Sequence, residues 1–237
     1  MLLHLVDHFR ALPAFRALSA QLPARTMRAG VGGLHGSSGA LLVAALAHDH
    51  PQRVIAVVAS SPSDAEAWLS DLVALRGEGA VLYPQREALG EEEPHLEIAG
   101  ERVETIDALA SGTVRIVVTT LRATTELSRM SAATGHRLDV SLAEPLAWEA
   151  VVTRLERMGY ERCPSVRDVA QFAVRGGIVD VYGFGMAEPV RFEWWGDELI
   201  SLRSFDLDSQ RSHREIDAVT ILPVAPLDEQ LEREDSL

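Results

Sequence analysis

The chain has 237 residues, of which 47% are hydrophobic, and a formal net charge of −13 at pH 7. This length and apolar content predict two globular units, each with its own core. The negative charge argues against a unit that binds a nucleic-acid backbone unaided, because neutralising phosphates needs clustered cations. The composition therefore favours a protein partner over DNA.

All 22 basic residues are arginine, and Cys163 is the only cysteine. One cysteine excludes an internal disulfide and disfavours a thiolate metal site. His4 and His8 have a metal-ligand spacing, but we expect them to lie on an exposed helix and to form no metal site. Asp7 and Arg10 interrupt the apolar start, and no apolar run reaches membrane-spanning length. We therefore expect a cytoplasmic protein without a membrane contact.

The first half of the chain predicts alternating helices and strands. Two short helices flank Pro13, and residues 40–48 are apolar on nearly all sides, as in a buried helix entered from a glycine-rich loop. Apolar runs typical of buried strands then alternate with helical patterns, the first of which begins near Ser61. The predicted strands are 54–59, 80–83 and 114–120. This order predicts an α/β domain with a parallel sheet covered on both faces, followed by a domain crossing near 128–139.

The second half predicts a mixed domain. A helix with an apolar stripe runs from Pro145 to a stop at Gly159. Strands follow over 171–206, and an apolar strand is expected over 216–224. An acidic loop at 86–94 and a charged helix or tail from 226 complete the chain.

Strand alternation places Arg191 and Trp195 on one face of residues 190–195, opposite the core side. Gly196-Asp197 matches a type II′ hairpin turn, since glycine comes first. Upstream, Gly176-Gly177 is either a tight turn or a glycine bulge that tips Arg175 outward, and the sequence leaves both open.

The outward side chains Arg175, Arg191 and Trp195 are candidates for a protein interface. Arginine and tryptophan are enriched among the residues that carry most binding energy, because both repay desolvation well. The alternative is that the arginines pair with neighbours such as Glu193 and that Trp195 is half buried under a loop.

The segments FAVRGGIVDVY, EPVRFEWWGDEL and LRSFDLDSQRS closely resemble domain 2 of the bacterial transcription-repair coupling factors, which is similar to domain 2 of the excision-repair protein UvrB. In that family this segment is the docking surface for UvrA, and the contact positions fall on Arg175, Arg191 and Trp195. The last position usually holds an aromatic residue, commonly phenylalanine. The family's phenylalanine-proline after the VDV strand is Tyr182-Gly183 here.

Residues 33–40, GLHGSSGA, lie where UvrB-like proteins carry a phosphate-binding loop, G-x-x-x-x-G-K-[ST]. The lysine of that loop contacts the β- and γ-phosphates, and the hydroxyl holds Mg²⁺. Neither glycine nor alanine can do this, so we expect a structural loop without ATP hydrolysis, although backbone N–H groups could still attract an anion weakly. In this degenerate loop Gly33 and Gly36 remain, Ser38 replaces the second glycine, Gly39 the lysine and Ala40 the hydroxyl residue.

The resemblance implies a first domain over 1–127 like UvrB domain 1, a degenerate P-loop NTPase or helicase domain. It implies an inserted, smaller α+β domain like UvrB domain 2 over 128–214, and a return to the first domain over 215–237. The implied function is a non-catalytic module that recruits UvrA to lesion-stalled RNA polymerase in transcription-coupled nucleotide excision repair. No cofactor and no metal are expected for this part of the family protein.

The full-length family protein is an ATP-dependent DNA translocase. Its contacts with RNA polymerase and DNA, and its ATP and Mg²⁺, are expected in domains beyond Leu237, and a C-terminal domain covers the UvrA surface by intramolecular contact. The alternative is a nucleotide- or DNA-binding UvrB-like repair domain. Against it, residues 83–102 offer one tyrosine and a cluster of acids where UvrB has a tyrosine-rich DNA-gripping hairpin.

Overall fold

The computed structural model describes residues 2–22, 29–77, 79–86, 96–126 and 137–224. The acidic loop expected after Arg86 and the tail expected from Pro226 lie outside these ranges. Two compact units divide the chain: Met1–Gln85 with Ala108–Glu126, and Arg86–Asp107 with Leu127–Leu237. Each unit contains a hydrophobic core of its own.

The helices and strands are numbered here in chain order. They are α1 (Leu3–Arg10), α2 (Pro13–Gln21), α3 (Ser38–Asp49), β1 (Ile55–Ala59), α4 (Pro62–Arg76), β2 (Ala80–Tyr83), α5 (Leu96–Ser111), β3 (Ile116–Thr120), α6 (Leu121–Thr125), β4 (Leu138–Ser141), α7 (Trp148–Arg157), β5 (Glu161–Arg162), β6 (Gln171–Arg175), β7 (Ile178–Tyr182), β8 (Val190–Trp195), β9 (Glu198–Phe205), β10 (Ser212–Glu215) and β11 (Ala218–Ile221).

The first unit contains the predicted parallel sheet. Strands β1 and β2 both pair with β3 in parallel, which gives the order β1-β3-β2. Helix α4 begins directly after Ser61, where the sequence predicts the start of a helix. The Ser61 side chain caps it by accepting a hydrogen bond from the Asp64 N–H at 3.2 Å. The strand, helix, strand order of an α/β unit is thereby confirmed.

The core of this unit lies on one face of the sheet. Val57 and Val118 pack there with the apolar residues of α3 and α4. Val58, on the opposite face of β1, is 51% exposed. The sequence predicts that both faces of this sheet are covered. In the described part of the first unit, the face of β1 that carries Val58 is not covered.

The second unit is built on a sheet of strand order β10-β9-β8-β7-β6-β5, which is antiparallel except for the parallel pair β5 and β6. Helix α7 packs Val151 and Leu155 against Phe172 and Phe192 in its core. The helix ends before Gly159, which has a φ of 87° that favours glycine. The predicted helix and the predicted strands over 171–206 are confirmed.

Strand β11 pairs antiparallel with β4, and both strands lie in the second unit. The sequence predicts a strand at 216–224 that returns to the first domain, whereas this pairing keeps residues 218–221 beside residues 138–141. The expected domain boundaries at 127/128 and 214/215 stay a prediction.

Gly176-Gly177 forms a two-residue turn, because Arg175 pairs directly with Ile178 across it. Gly176 has a φ of 61°, which the first position of a type II′ turn requires. A Cβ on Gly177 would lie 2.8 Å from the carbonyl oxygen of Trp194, so no larger residue fits. Of the two alternatives for this dipeptide, the turn is therefore correct.

The loop after β7 packs on helix α5. Phe184 is buried, and a Cβ built on Gly100 of α5 would lie 2.1 Å from its Cδ1 atom. The glycine lets the aromatic ring rest on the helix backbone, so the loop that follows Tyr182-Gly183 has a defined anchor. No helix in the described ranges combines the length and apolarity needed to cross a membrane.

Candidate functional site

The sheet of the second unit brings three charged side chains to one face. Asp180 lies opposite Arg191 in the pairing of β7 with β8, and Arg175 lies at the end of β6, on the same face. This placement follows from strand alternation, which puts every second residue on the same side. The sheet therefore unites the two arginines that the sequence singled out.

Asp180 joins the two arginines. Its side chain is 1% exposed, and it accepts hydrogen bonds from Arg191 Nε at 2.7 Å and Arg191 Nη2 at 2.9 Å. Arg175 Nη2 donates to the same carboxylate. A carboxylate can accept such a bidentate fork, which is stronger than a neutral hydrogen bond. We call Arg175, Asp180 and Arg191 the arginine cluster, and it carries one net positive charge.

Two further contacts fix the Arg191 side chain. Its Nη1 donates to the Gln210 carbonyl at 3.2 Å, and its guanidinium carbon lies 4.8 Å from the centre of the Phe205 ring. The hydrogen bond with Asp180 raises the pKa of Arg191 above its usual value. Its side chain is only 13% exposed, whereas that of Arg175 is 46% exposed. The expectation that both arginines are exposed is therefore wrong for Arg191, which forms an ion pair with Asp180.

Trp195 is the most exposed large apolar side chain among the described residues, at 80%. It lies two positions beyond Glu193 on β8, on the face opposite the core. Its neighbour Trp194 points into the core, is 6% exposed, and donates its indole N–H to the Leu146 carbonyl at 2.7 Å. Trp195 is thus not covered by a loop in the described structure, which rules out the half-buried alternative.

Asp180 is the member of this surface that the sequence analysis missed. A lone carboxylate inside the apolar strand IVDVY is a usable signal, because a buried charge must find a partner. Gln210 was missed as well. It has a φ of 58°, and its side chain bonds the carbonyls of Val166 and Leu207, which holds its own carbonyl toward Arg191.

The glycine-rich loop of the first unit leads into α3 without a preceding strand in residues 29–37. Gly33 and Gly36 have φ values of 77° and 53°, and the Ser38 hydroxyl donates to the His35 carbonyl at 2.8 Å. A Cβ on Gly39 would lie 2.5 Å from the Trp68 ring.

Gly39 and Ala40 are both buried in the first turn of α3. A lysine at Gly39 would run into Trp68 instead of reaching solvent, where phosphates would have to bind. The residues present therefore do not fit the phosphate-binding arrangement of a nucleotide site.

Across the described ranges, no three His, Cys, Asp or Glu side chains are placed to share a metal ion. His8 Nδ1 lies 2.7 Å from the carbonyl oxygen of His4, one helical turn earlier. The ring that the sequence paired with His4 is thus engaged by the backbone of its own helix.

Comparisons with known proteins place the second half of the chain in a family. Residues 138–226 match the family model described as the UvrB interaction domain, and they contain the arginine cluster and Trp195. The transcription-repair-coupling factor of Mycobacterium tuberculosis is 31% identical over 80% of this chain and 16% of its own length. That of Bacillus subtilis is 30% identical over 82% and 17%, and that of Escherichia coli 32% over 55% and 11%.

The chain thus spans less than a fifth of the length of the relatives that it matches. Within that span the similarity covers most of this chain, and the family model covers the sheet that carries the candidate surface. Residues 138–226 therefore belong to the UvrB interaction domain family, in a chain homologous to part of the bacterial transcription-repair-coupling factors.

Proposed function

We propose that the second unit is a docking module for UvrA, and that the chain serves transcription-coupled nucleotide excision repair without catalysis of its own. Two findings support this proposal. The family model for residues 138–226 is named for UvrB interaction, and the relatives are named for coupling transcription to repair. The proposed contact surface consists of the arginine cluster and Trp195.

The exposure of Trp195 carries the proposal. An indole that is 80% exposed at the end of a strand contributes little to the fold, but it can supply much of the binding energy of an interface. It lies four residues from Arg191 along β8, about 13 Å at the rise of a strand. That span fits within one standard protein interface.

The two arginines have different roles in this proposal. Arg191 is mostly covered and fixes the Asp180 carboxylate, which in turn orients Arg175. Arg175 keeps nearly half of its side chain in solvent, so it is the arginine that would meet an acidic group of the partner. Asp180 and Arg191 therefore act as positioning residues, and Arg175 and Trp195 as contact residues.

We do not propose nucleotide hydrolysis for this chain. The Gly39 position faces Trp68 and the chain has no lysine, so the charge that stabilises transferring phosphates is missing. A first unit descended from a P-loop NTPase remains part of the proposal. For a full-length coupling factor we propose that ATP, Mg²⁺, DNA and RNA polymerase bind elsewhere, and that a C-terminal domain masks the UvrA surface.

The test is capture of purified UvrA by single-site variants. We expect Trp195→Ala and Arg175→Ala each to weaken binding by at least about tenfold, the scale of an interface hot spot. The matched controls are Leu121→Ala, an exposed apolar residue of the first unit, and Arg162→Ala, an exposed arginine of β5. Circular dichroism should be unchanged for all four. Wild-type affinity in both Trp195→Ala and Arg175→Ala would reject the proposed surface.

Removing Arg191 is a poorer test, because it also withdraws the bidentate partner of a buried carboxylate. A loss of UvrA capture in Arg191→Ala would mix misfolding with lost contact. Single variants at the two exposed residues avoid this ambiguity.

A further inference from the structure

A groove of about 520 Å³ opens beside Trp195, within the second unit. One wall is the segment after β4, residues 142–145, and the other is the turn between β8 and β9, with Trp195 and residues 197–199. Leu142, Pro145 and Trp195 give it an apolar surface. Glu144, Asp197 and Glu198 add three exposed carboxylates to its lining.

Both walls of the groove are tied to the sheet. The Trp194 indole N–H donates to the Leu146 carbonyl at 2.7 Å, directly after the first wall. The Leu142 N–H donates to the Asp217 carbonyl at 3.2 Å, and on the other wall Trp195 pairs with Glu198 across the turn. A groove with fixed walls loses little conformational entropy when it is filled, which favours binding.

The charge of the groove selects the chemistry of its occupant. None of its lining residues is basic, and its three carboxylates lie beside the exposed apolar side chains of the groove. An acidic or neutral segment would leave these charges without compensation. A segment with one apolar side chain between arginines or lysines would fill the apolar surface and neutralise the rim.

We propose that this groove binds a basic peptide segment with an apolar anchor, supplied by a protein partner. The charge of the groove is negative, whereas the arginine cluster is positive and is proposed to contact acidic groups of UvrA. The two surfaces adjoin at Trp195, so one partner could present an acidic and a basic patch to them together. The residues of the groove define the chemistry of the segment that it binds, and the partner need not be UvrA.

The experiment uses the whole 237-residue chain, labelled with ¹⁵N, and synthetic peptides as probes. One peptide carries a leucine flanked by arginines, and the matched peptide replaces the arginines with glutamates. We expect the basic peptide to shift the amide signals of residues 142–144 and 195–199, with binding that weakens as salt rises. Equal binding of both peptides, or shifts confined to other residues, would overturn the proposal.

Charge reversal separates the groove from the general negative field of the chain. Glu144→Arg with Glu198→Arg should weaken binding of the basic peptide by about tenfold or more, since two attractive rim charges become repulsive. The control is Glu156→Arg, an exposed acid near the end of α7 where a basic residue suits the helix dipole. An equal loss in the control and the double variant would refute a groove-specific site.

The outcome is distinguishable from that of the UvrA test. If the groove fails and the docking surface holds, Trp195→Ala weakens UvrA capture while the basic peptide produces no shifts in the groove. If the docking surface fails and the groove holds, the basic peptide binds the wild-type protein selectively, and UvrA capture is unchanged by both Trp195→Ala and Arg175→Ala.

Discussion

Arg191 binds the carboxylate of Asp180 with two of its nitrogens, Nε at 2.7 Å and Nη2 at 2.9 Å. The two residues lie directly opposite each other on β8 and β7. Because Asp180 is almost fully buried, this pair couples the stability of the sheet to the orientation of the charged groups on its solvated face.

Asp180→Asn should destabilise the protein by about 3 kcal/mol, because it leaves a mostly buried guanidinium without its counter-charge. Urea denaturation followed by circular dichroism measures the change. The control is Glu193→Gln on the same face of β8, for which we expect a change within about 0.5 kcal/mol. Equal effects of the two substitutions would show that the pair contributes no more than an ordinary surface charge.

Gly39→Lys restores the lysine of a phosphate loop in sequence but should not restore nucleotide binding. The new side chain would collide with Trp68, so we expect a loss of about 1–3 kcal/mol in the free energy of unfolding. ATP titration by calorimetry should give no binding heat. Ser37→Lys, at an exposed position two residues earlier, is the control and should leave stability nearly unchanged. ATP binding by the Gly39→Lys variant would contradict this account of the loop.

Gly100→Ala should destabilise the protein, although alanine is usually better than glycine in a helix by about 1 kcal/mol. The added methyl would lie 2.1 Å from the Phe184 ring, so the loop after β7 would have to move. Thermal unfolding of Gly100→Ala, Phe184→Ala and the double variant checks this. The two substitutions should be non-additive, with Gly100→Ala harmless once Phe184 is truncated. Additive effects would mean that the ring and the helix do not constrain each other.

Thr220→Val should raise the pKa of Asp139. Hydrogen bonds from Thr220 at 2.6 Å and Arg137 at 2.9 Å, of which the first is the larger cause, hold that pKa below its usual value. A lowered folded-state pKa stabilises the pairing of β4 with β11 at neutral pH, and this stabilisation is lost as the pH falls through the lowered pKa. Carboxyl NMR titration measures the shift.

Asp206 is the internal control for that titration. Its pKa is lowered by the Ser209 backbone and side chain, so Thr220→Val should not change it. An Asp139 pKa that is unchanged by the substitution would remove Thr220 as the cause.

The elements that could be predicted are those whose signals are local. Strand β8 alternates strictly, and its turn at Gly196 follows the type II′ rule, so both were recognisable without a partner strand. Strands β4 and β10 were not predicted, because LDVS and SHRE are only four residues long and SHRE contains no apolar residue. The pairing of β4 also depends on a distant partner, because β4 joins β11, which is nearly eighty residues later in the chain.

The candidate surface likewise has features that could be predicted from the sequence and one that could not. Alternation along β8 places Arg191 and Trp195 on one face, which needs only the sequence of that strand. The burial of Arg191 could not be predicted, since it depends on Phe205 from β9 and on the carbonyl of Gln210 from the following turn. Those contacts arise only when separate strands are assembled.

The consecutive residues Trp194 and Trp195 point to opposite sides of β8. Trp194 is buried and bonded to Leu146, whereas Trp195 is exposed to water. Two adjacent indoles thus experience different polarities, and their fluorescence should respond differently to a soluble quencher such as iodide. In a variant that keeps only these two of the four tryptophans, iodide would quench the emission of Trp195 in the free protein, and a partner that covers Trp195 would shield it. The emission of Trp194 would not respond to iodide in either state. The strand therefore carries its own optical reporter of occupancy beside an internal reference.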